Sequence, residues 1–346
     1  MSAPKTIQIV GGGLAGLTLG IALRQQKIPV KIMESGNYPR HRVCGEFISG
    51  RGQATLARLG LRDLLARAGA VDARTMAFFS ATKATEPRPL PSPAICLSRF
   101  ALDALLAKKF CELGGELVTG SRVALEKIST GSVRAAGRRV AADENGAGWF
   151  GLKIHARNVA LAADLEMHVT PRGYVGLCRV EGGAVNVCGI FHRRTGEQAG
   201  GNARELLRGL PASPLREKLA AAEFENDSFC AVAGISLRPQ RAAEREEICV
   251  GDAITMIPPV TGNGMSMAFE SAELAVAPLQ AWSLQKKSWS EARAQIARAC
   301  DAAFASRLAW AGRLQQFVLT PAWQNPLVTL VARSDWFRRM AFERTR

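Results

Sequence analysis

The sequence predicts an α/β fold: a parallel βαβ unit interleaved with an antiparallel β-sheet and followed by a helical C-terminus. Three observations predict it. Residues 6–34, TIQIVGGGLAGLTLGIALRQQKIPVKIME, pass from an apolar strand through a glycine-rich turn and an amphipathic helix to a second strand that closes on an acid. From Trp149 to Phe191 the segments FGLKIHAR, LEMHVT, GYVGLCRV and AVNVCGIF alternate apolar and polar residues between glycine-bearing turns, the period of antiparallel strands. Beyond residue 285, Ile296, Cys300, Phe304, Leu308, Ala311, Leu314 and Val318 recur every three or four positions, a long helix that Pro321 and Pro326 are expected to break.

The first unit is a Rossmann-like dinucleotide fingerprint. Gly11 permits the tight turn, Gly13 lets the backbone approach a pyrophosphate, and Gly16 allows the helix to pack closely on the strand. The first helical turn, with Leu14 and Ala15, offers free amides to phosphate oxygens. Glu34 ends the second strand, where an acid accepts hydrogen bonds from an adenosine ribose and disfavours a 2′-phosphate. These residues alone do not separate NAD from FAD.

Residues 38–50, YPRHRVCGEFISG, bring three basic side chains, a cysteine, a glycine and a glutamate together. A metal site, a reactive thiol or a loop against a cofactor each use such residues. The eight cysteines include no Cys-x-x-Cys pair, which argues against zinc and for free thiols in a reducing compartment. Arg40, His41 and Arg42 favour a thiolate at Cys44, whereas burial against a cofactor opposes it. Glu46 is an acid–base candidate or a salt-bridge partner. Residues 95–119, ICLSRFALDALLAKKFCELGGELVT, read as strand, helix and strand. Arg99 opens that helix against its dipole, so an anion is expected nearby, and a pyrophosphate would serve.

Residues 248–279, ICVGDAITMIPPVTGNGMSMAFESAELAVAPL, give a short strand, Gly251-Asp252, a proline-bearing turn, a second glycine loop and a long helix. With the first fingerprint, this segment resembles the FAD-binding proteins of the para-hydroxybenzoate hydroxylase fold. The resemblance spans roughly residues 5–280 and implies FAD, with Asp252 on its ribityl chain. The amides of Gly262, Asn263, Gly264 and Met265, at a helix N-terminus, would stabilise an anionic reduced flavin. RHRVCGEFIS is similar to the Arg-x-Lys-x-Cys-Gly segment of the geranylgeranyl reductase branch and its flavin-dependent halogenase and monooxygenase relatives, with Arg42 in the lysine place. That implies flavin contacts from Cys44 and Gly45, an Arg99 that reaches the flavin, and a Val123 whose backbone holds the adenine.

The sequence also departs from that pattern. GYVGLCRVEGGAVNVCGIF resembles the reductase segment Gly-Tyr-x-Trp-x-Phe-Pro, but Gly176 takes the tryptophan place and Arg179 or Val180 the proline place. The hydroxylase Asp-Gly motif is missing, VRAAGRR stands at 133–139, and the stretch from Val123 to Val133 looks shortened. Ile254 replaces a common histidine, and no Trp-x-Trp-x-Ile-Pro halogenase motif occurs. With no second dinucleotide fingerprint, the electron donor is expected to bind transiently, as NAD(P)H, or to be another protein. Lys153 and Tyr174 are the strand residues expected to face substrate; His155, His168 and His192 are expected to be structural hydrogen-bonders.

A net charge of +15 is spread along the chain, which fits a solvated basic surface rather than a nucleic-acid stripe. No run of about 18 apolar residues predicts a membrane span. The final segment, NPLVTLVARSDWFRRMAFERTR, is apolar and basic, suited either to peripheral membrane contact or to packing over a cavity mouth. The expected organisation is a discontinuous FAD-binding domain (1–75, 95–148, 230–285), a substrate domain (76–94, 149–229) and a C-terminal helical segment (286–346). The expected function is that of a cytoplasmic FAD-dependent oxidoreductase acting on a mainly apolar small molecule, without a partner protein. Monooxygenase-type oxidation is favoured over reduction or dehydrogenation of carbon–carbon bonds, and a non-catalytic flavin-binding protein is the remaining class.

Overall fold

The computed structural model describes residues 3–124, 129–138, 148–193 and 203–346. The chain opens with β1 (Ile7–Val10), α1 (Leu14–Gln25) and β2 (Val30–Met33), then β3 (Phe47–Ile48), α2 (Arg51–Arg58), α3 (Arg62–Arg67), β4 (Val71–Phe79) and β5 (Arg88–Cys96). It continues through α4 (Arg99–Glu112), β6 (Glu116–Val118), β7 (Ser132–Arg134), β8 (Gly148–Arg157), β9 (Leu165–Thr170), β10 (Gly173–Arg179) and β11 (Val185–Arg193). Two short helices, α5 (Ala203–Leu207) and α6 (Pro214–Lys218), lead to β12 (Glu223–Ile235) and β13 (Ile248–Cys249). The helices α7 (Gly264–Ser283), α8 (Trp289–Leu319), α9 (Pro321–Arg333) and α10 (Asp335–Arg344) follow.

One sheet is wholly parallel, in the order β6-β2-β1-β7-β13. Its order reverses at β1, so a crevice opens beyond the carboxyl end of that strand, where ligands of open α/β sheets bind. Its strands are short apolar runs, with Ile7, Ile9, Ile32 and Val133 fully buried, as expected when helices cover both faces. α1 is buried from Leu14 to Leu23. Gly20 makes that packing tight: a Cβ there would stand 2.8 Å from both Ile32 and Phe110.

The second sheet runs β3-β5-β4-β9-β10-β11-β8-β12 and is antiparallel except for the β4–β9 pair. Alternation sends Leu152, Ile154, Val175, Leu177, Val185 and Val187 outward beneath Leu207, Leu215 and Leu219 of the α5–α6 region. The opposite phase, with Lys153, His155, Asn186 and Cys178, turns toward the loop between β2 and β3. The α/β architecture is the expected one, but the sheet recruits more chain than the alternation suggested. β4 runs unbroken across the boundary expected at 75/76, β12 across 229/230, and β3 comes from the 38–50 stretch itself. Of the two prolines, Pro321 opens α9 while Pro326 lies within it. Gln324 donates to Thr170 O and Val318 O, and such tertiary bonds hold the helix where the sequence alone suggested a break. Residues 125–128 of the shortened stretch, and Arg139 of VRAAGRR, lie outside the described residues. Among the described residues no helix is long and apolar enough to cross a membrane.

Phe110 is fully buried, with Gly20 and Gly115 making room for its ring. Phe110→Ala should cost about 3–5 kcal/mol of stability, read as a lower urea midpoint with an unchanged slope; a loss below about 1 kcal/mol would contradict this packing.

Candidate active site

The crevice is built from glycines and helix ends. Gly11 has φ +111°, and a Cβ there would run into the carbonyl of Ala135. A Cβ on Gly16 would meet the Gly11 carbonyl and stand 3.1 Å from the Ala135 side chain. Gly13 differs: nothing lies within 4 Å of an added Cβ, so its backbone faces open space. α1 starts there with no side-chain cap and no acid in its first turn, leaving amide dipoles without a partner from those sources. The second motif folds onto the first. Gly251 adopts φ +63°, where a Cβ would stand 2.8 Å from Ala15, and its amide donates to Ser271 Oγ (2.8 Å).

Asp252 is half-buried and accepts no hydrogen bond among the described residues. Burial pushes its carboxyl up to about 6, against the attraction of Arg99 and Arg138. Beyond it, Gly262 turns left-handed (φ +61°), and a Cβ there would strike the Phe47 ring. Asn263 is fully buried; its Nδ2 donates to Thr345 O (2.6 Å), while its Oδ1 has no partner among the described residues. Gly264 and Met265 open α7, again with no side-chain cap and no first-turn acid. Arg346 enters the same place, donating to Ser49 Oγ (2.9 Å) and Thr261 O (3.1 Å). Burial pulls it down to about 10. This arrival of the C-terminal segment has no local sequence signal.

Glu34 ends β2 as expected, but its carboxylate is already engaged. Oε2 accepts from Gly12 N (2.7 Å), and Oε1 accepts from Gly36 N (2.8 Å) and Arg40 Nη2 (2.6 Å). Burial raises this carboxyl, and these donors outweigh it to hold Glu34 below the usual carboxylate range. Tyr38 donates to Gly12 O, so Tyr38 and Arg40 bind the loop to the glycine turn, a role the sequence reading did not give them. Val123 is half-buried in the segment after β6, where Ser121 N donates to Glu34 O (2.9 Å). The anion expected beside Arg99 is Asp103, one turn along the same helix. Its carboxylate takes two bonds from Arg99 (2.7 and 2.8 Å) and one from Arg42 Nε (3.1 Å), so no pyrophosphate is needed to explain that arginine.

Cys44, Gly45 and Glu46 lie where this loop meets the second sheet. Asn186 Nδ2 donates to Cys44 O (3.0 Å) and Cys178 Sγ to Gly45 O (3.1 Å). Burial pushes the Cys44 thiol up, assisted by Glu46 and opposed by Arg99, so the neutral thiol prevails over the thiolate that its basic neighbours suggested. Glu46 is fully buried and left-handed (φ +58°). Its Oε1 accepts from Arg99 N (2.9 Å) and pairs with Lys153 Nζ (3.3 Å), and its Oε2 bonds His155 Nε2 (2.7 Å). Burial raises its carboxyl, and His155, Lys153 and the Arg99 amide outweigh that and lower it.

Lys153, expected to face substrate, is instead fully buried and tied to Glu46 and to His41 Nδ1 (3.0 Å). His41 is pushed down to about 4 by burial, Lys153 and His155, so it is neutral at pH 7 and accepts from the lysine. It stacks on Phe100 at 4.6 Å. Tyr174 is buried in an apolar cluster with Val169, Ile190, Ile235 and Val318, bordered by Met167, Val232, Met256 and Leu327. Its hydroxyl has no partner among the described residues. The histidines hold structure: His155 on Glu46, His168 bonded to Glu166 (2.9 Å) and stacked on Phe79, His192 against Trp149.

Glu46→Gln should cost about 3–5 kcal/mol, because it leaves the buried Lys153 without its carboxylate. Because the folded-state carboxyl is lowered, the stability that Glu46 contributes is present above about pH 4.3 and is lost as pH falls through the folded value. Urea midpoints of the two proteins should therefore lie far apart at pH 7 and converge as pH falls through the lowered folded-state value; a gap independent of pH would show that the charge is not responsible.

No protein-family model matches the chain, and no curated protein matches it. Solved structures do. The flavin-dependent brominase Bmp2 aligns with a TM-score of 0.69 at 15% identity, over 99% of this chain and 98% of that one. Halogenase PltM gives 0.72 at 16% identity over 99% and 86%. A flavoprotein/dehydrogenase from Cytophaga hutchinsonii gives 0.76 at 13% identity over 99% and 92%. At such identities the likeness is one of fold, and the chain has the fold that these flavin-dependent halogenases and this flavoprotein share.

Proposed function

We propose that this chain is an FAD-dependent oxidoreductase acting on a mainly apolar small molecule, with NAD(P)H as a transient electron donor and monooxygenase-type oxidation as its reaction. The observation that carries the reading is the convergence of two helix N-termini without side-chain caps, α1 and α7, on one crevice, with Gly251 packed against Ala15. The residues fit the cofactor. Gly13 leaves space for a pyrophosphate, Asp252 has carboxylate oxygens to offer a ribityl hydroxyl, and Asn263 Oδ1 is a buried acceptor awaiting a donor. FAD when bound supplies the redox chemistry.

The protein's part is placement and exclusion of water. The amides of Gly264 and Met265 favour negative charge at the head of α7. The apolar cluster around Tyr174 keeps water from an apolar substrate, and the partnerless Tyr174 hydroxyl orients a polar group on it. Glu46 and Lys153 are joined to each other, which suits them to fixing the Cys44–Gly45 loop rather than to exchanging protons with substrate. The second reading, reduction or dehydrogenation of a carbon–carbon bond, is favoured by that Cys-Gly-Glu loop and by the likeness to the flavoprotein/dehydrogenase.

The purified protein should carry non-covalent FAD, and Gly13→Val should strip it, because a side chain would fill the open space beside the turn. Asp252→Ala should weaken FAD about 10- to 100-fold, the scale of one hydrogen bond to a charged group. Full occupancy in Gly13→Val together with an unchanged dissociation constant in Asp252→Ala would refute the site.

With its thiol raised by burial, Cys44 serves as a positioning residue, so Cys44→Ser should retain bound FAD and most NAD(P)H oxidation. A loss of substrate turnover of about 100-fold with flavin reduction intact, read by stopped flow, would instead make it a proton donor or nucleophile. NAD(P)H oxidation that consumes oxygen and rises with substrate supports monooxygenation; oxidation without oxygen uptake supports the reductase reading. A flavin that NAD(P)H never reduces would leave a binding protein.

A further inference from the structure

α9 anchors polar side chains on the second sheet while part of its apolar surface stays outside. Gln324 Nε2 donates to Thr170 O (3.2 Å), Asn325 Oδ1 accepts from Ser80 Oγ (2.6 Å), and Lys83 Nζ donates to Thr329 Oγ1 (2.9 Å). Val328 and Val331 are buried beside them. Outside stand Trp323, Pro326 and Leu330 at helical spacing, with Trp323 52% and Leu330 43% exposed. Phe317, at the end of α8, meets Trp323 edge-on at 5.7 Å, and Trp336 in α10 is 72% exposed. An exposed Phe317–Trp323 pair, with Leu330 two turns along the same helix as Trp323, makes an apolar patch of the kind that marks an interaction surface rather than an ordinary solvated helix.

Charge narrows the partner. α9 carries a single charged residue, Arg333, three positions beyond Leu330. Across the exposed positions of this region, Arg313, Arg333, Arg339 and Arg344 stand against Asp335 and Glu343. We propose that this face docks on an anionic lipid bilayer, with Phe317, Trp323, Leu330 and Trp336 entering the interface and the arginines meeting lipid phosphates. A second copy of the chain is the poorer occupant. An isologous contact would set two copies of the same arginine-rich face against each other, like charge on like charge, in a protein of net charge +15. The contact is interfacial, since no described helix can cross a membrane. The same helices cover the Tyr174 cluster through Val318, Leu319 and Leu327, so a lipid-dissolved substrate would meet the protein at that cover. This last step rests on the proposed function; lipid binding itself does not.

The full chain should co-sediment with phosphatidylcholine vesicles that contain phosphatidylglycerol, bind phosphatidylcholine alone far more weakly, and be released by salt. Trp323→Glu combined with Leu330→Glu should weaken sedimentation about 10-fold or more, and Arg333→Glu with Arg339→Glu should remove the preference for anionic lipid, while melting temperature and flavin content stay at wild-type values. Should either variant misfold, tryptophan fluorescence of the wild type on vesicles containing brominated phosphatidylcholine decides: quenching supports insertion and its absence overturns the proposal. Failure to bind any vesicle overturns it too, as do unchanged binding in both folded variants and a wild-type dimer that Trp323→Glu dissociates.

Discussion

The buried carboxylate of Glu46 is the constraint on which the rest of this structure depends. From one left-handed residue it reaches the first amide of α4, the lysine and histidine of β8, and through its own carbonyl the amide of Leu97. Those partners belong to different parts of the chain: α4 leads into the parallel sheet, and β8 lies in the mixed one, next to its β12 edge. A charge so placed is costly unless every bond around it is made. The loop carrying Cys44 and Gly45 is thereby held between the two sheets, and the crevice acquires a fixed second wall.

A second balance of charge surrounds the glycine turn. Arg40, Arg42 and Arg99 would repel one another in a partly buried site, and Glu34 and Asp103 distribute themselves among the three. Glu34 also takes the Gly12 amide, so the same carboxylate that shapes the turn fixes the loop over it. Asp252 stands outside this balance, with Arg99 and Arg138 near but not bonded to it. A group in that position responds to an incoming hydroxyl more readily than one already saturated with donors.

The C-terminal helices serve the site from behind. α8 and α9 close the apolar cluster above β10, while the segment after α10 reaches the head of α7 through Thr345 and Arg346. This arrangement explains how α9 persists with a proline inside it: its polar side chains are anchored on the second sheet, and the bonds that hold it are tertiary. Its outward apolar residues contribute nothing to that anchoring, so a role at a surface accounts for them better than a role in the fold.

The sequence by itself determined what local backbone chemistry determines. The glycines at 11, 13 and 16, the acid at 34 and the Gly251–Asp252 turn lie within stretches short enough for helix and strand spacing to fix their geometry, and the parallel unit follows from them. The ion pair of Arg99 with Asp103 was legible on the same terms, four residues apart on one helix, although a phosphate seemed the better anion for that arginine. Tertiary structure alone decided the rest. Lys153 looked like a residue facing substrate because alternation shows which residues share a face, not what that face meets; sheet register placed it against a glutamate 107 positions earlier in the chain. Arg346 at the head of α7, Tyr38 on Gly12 and the outward face of α9 likewise depend on which distant segment arrives. The free energy of a buried charge or an exposed tryptophan belongs to its surroundings, and residue spacing does not encode them.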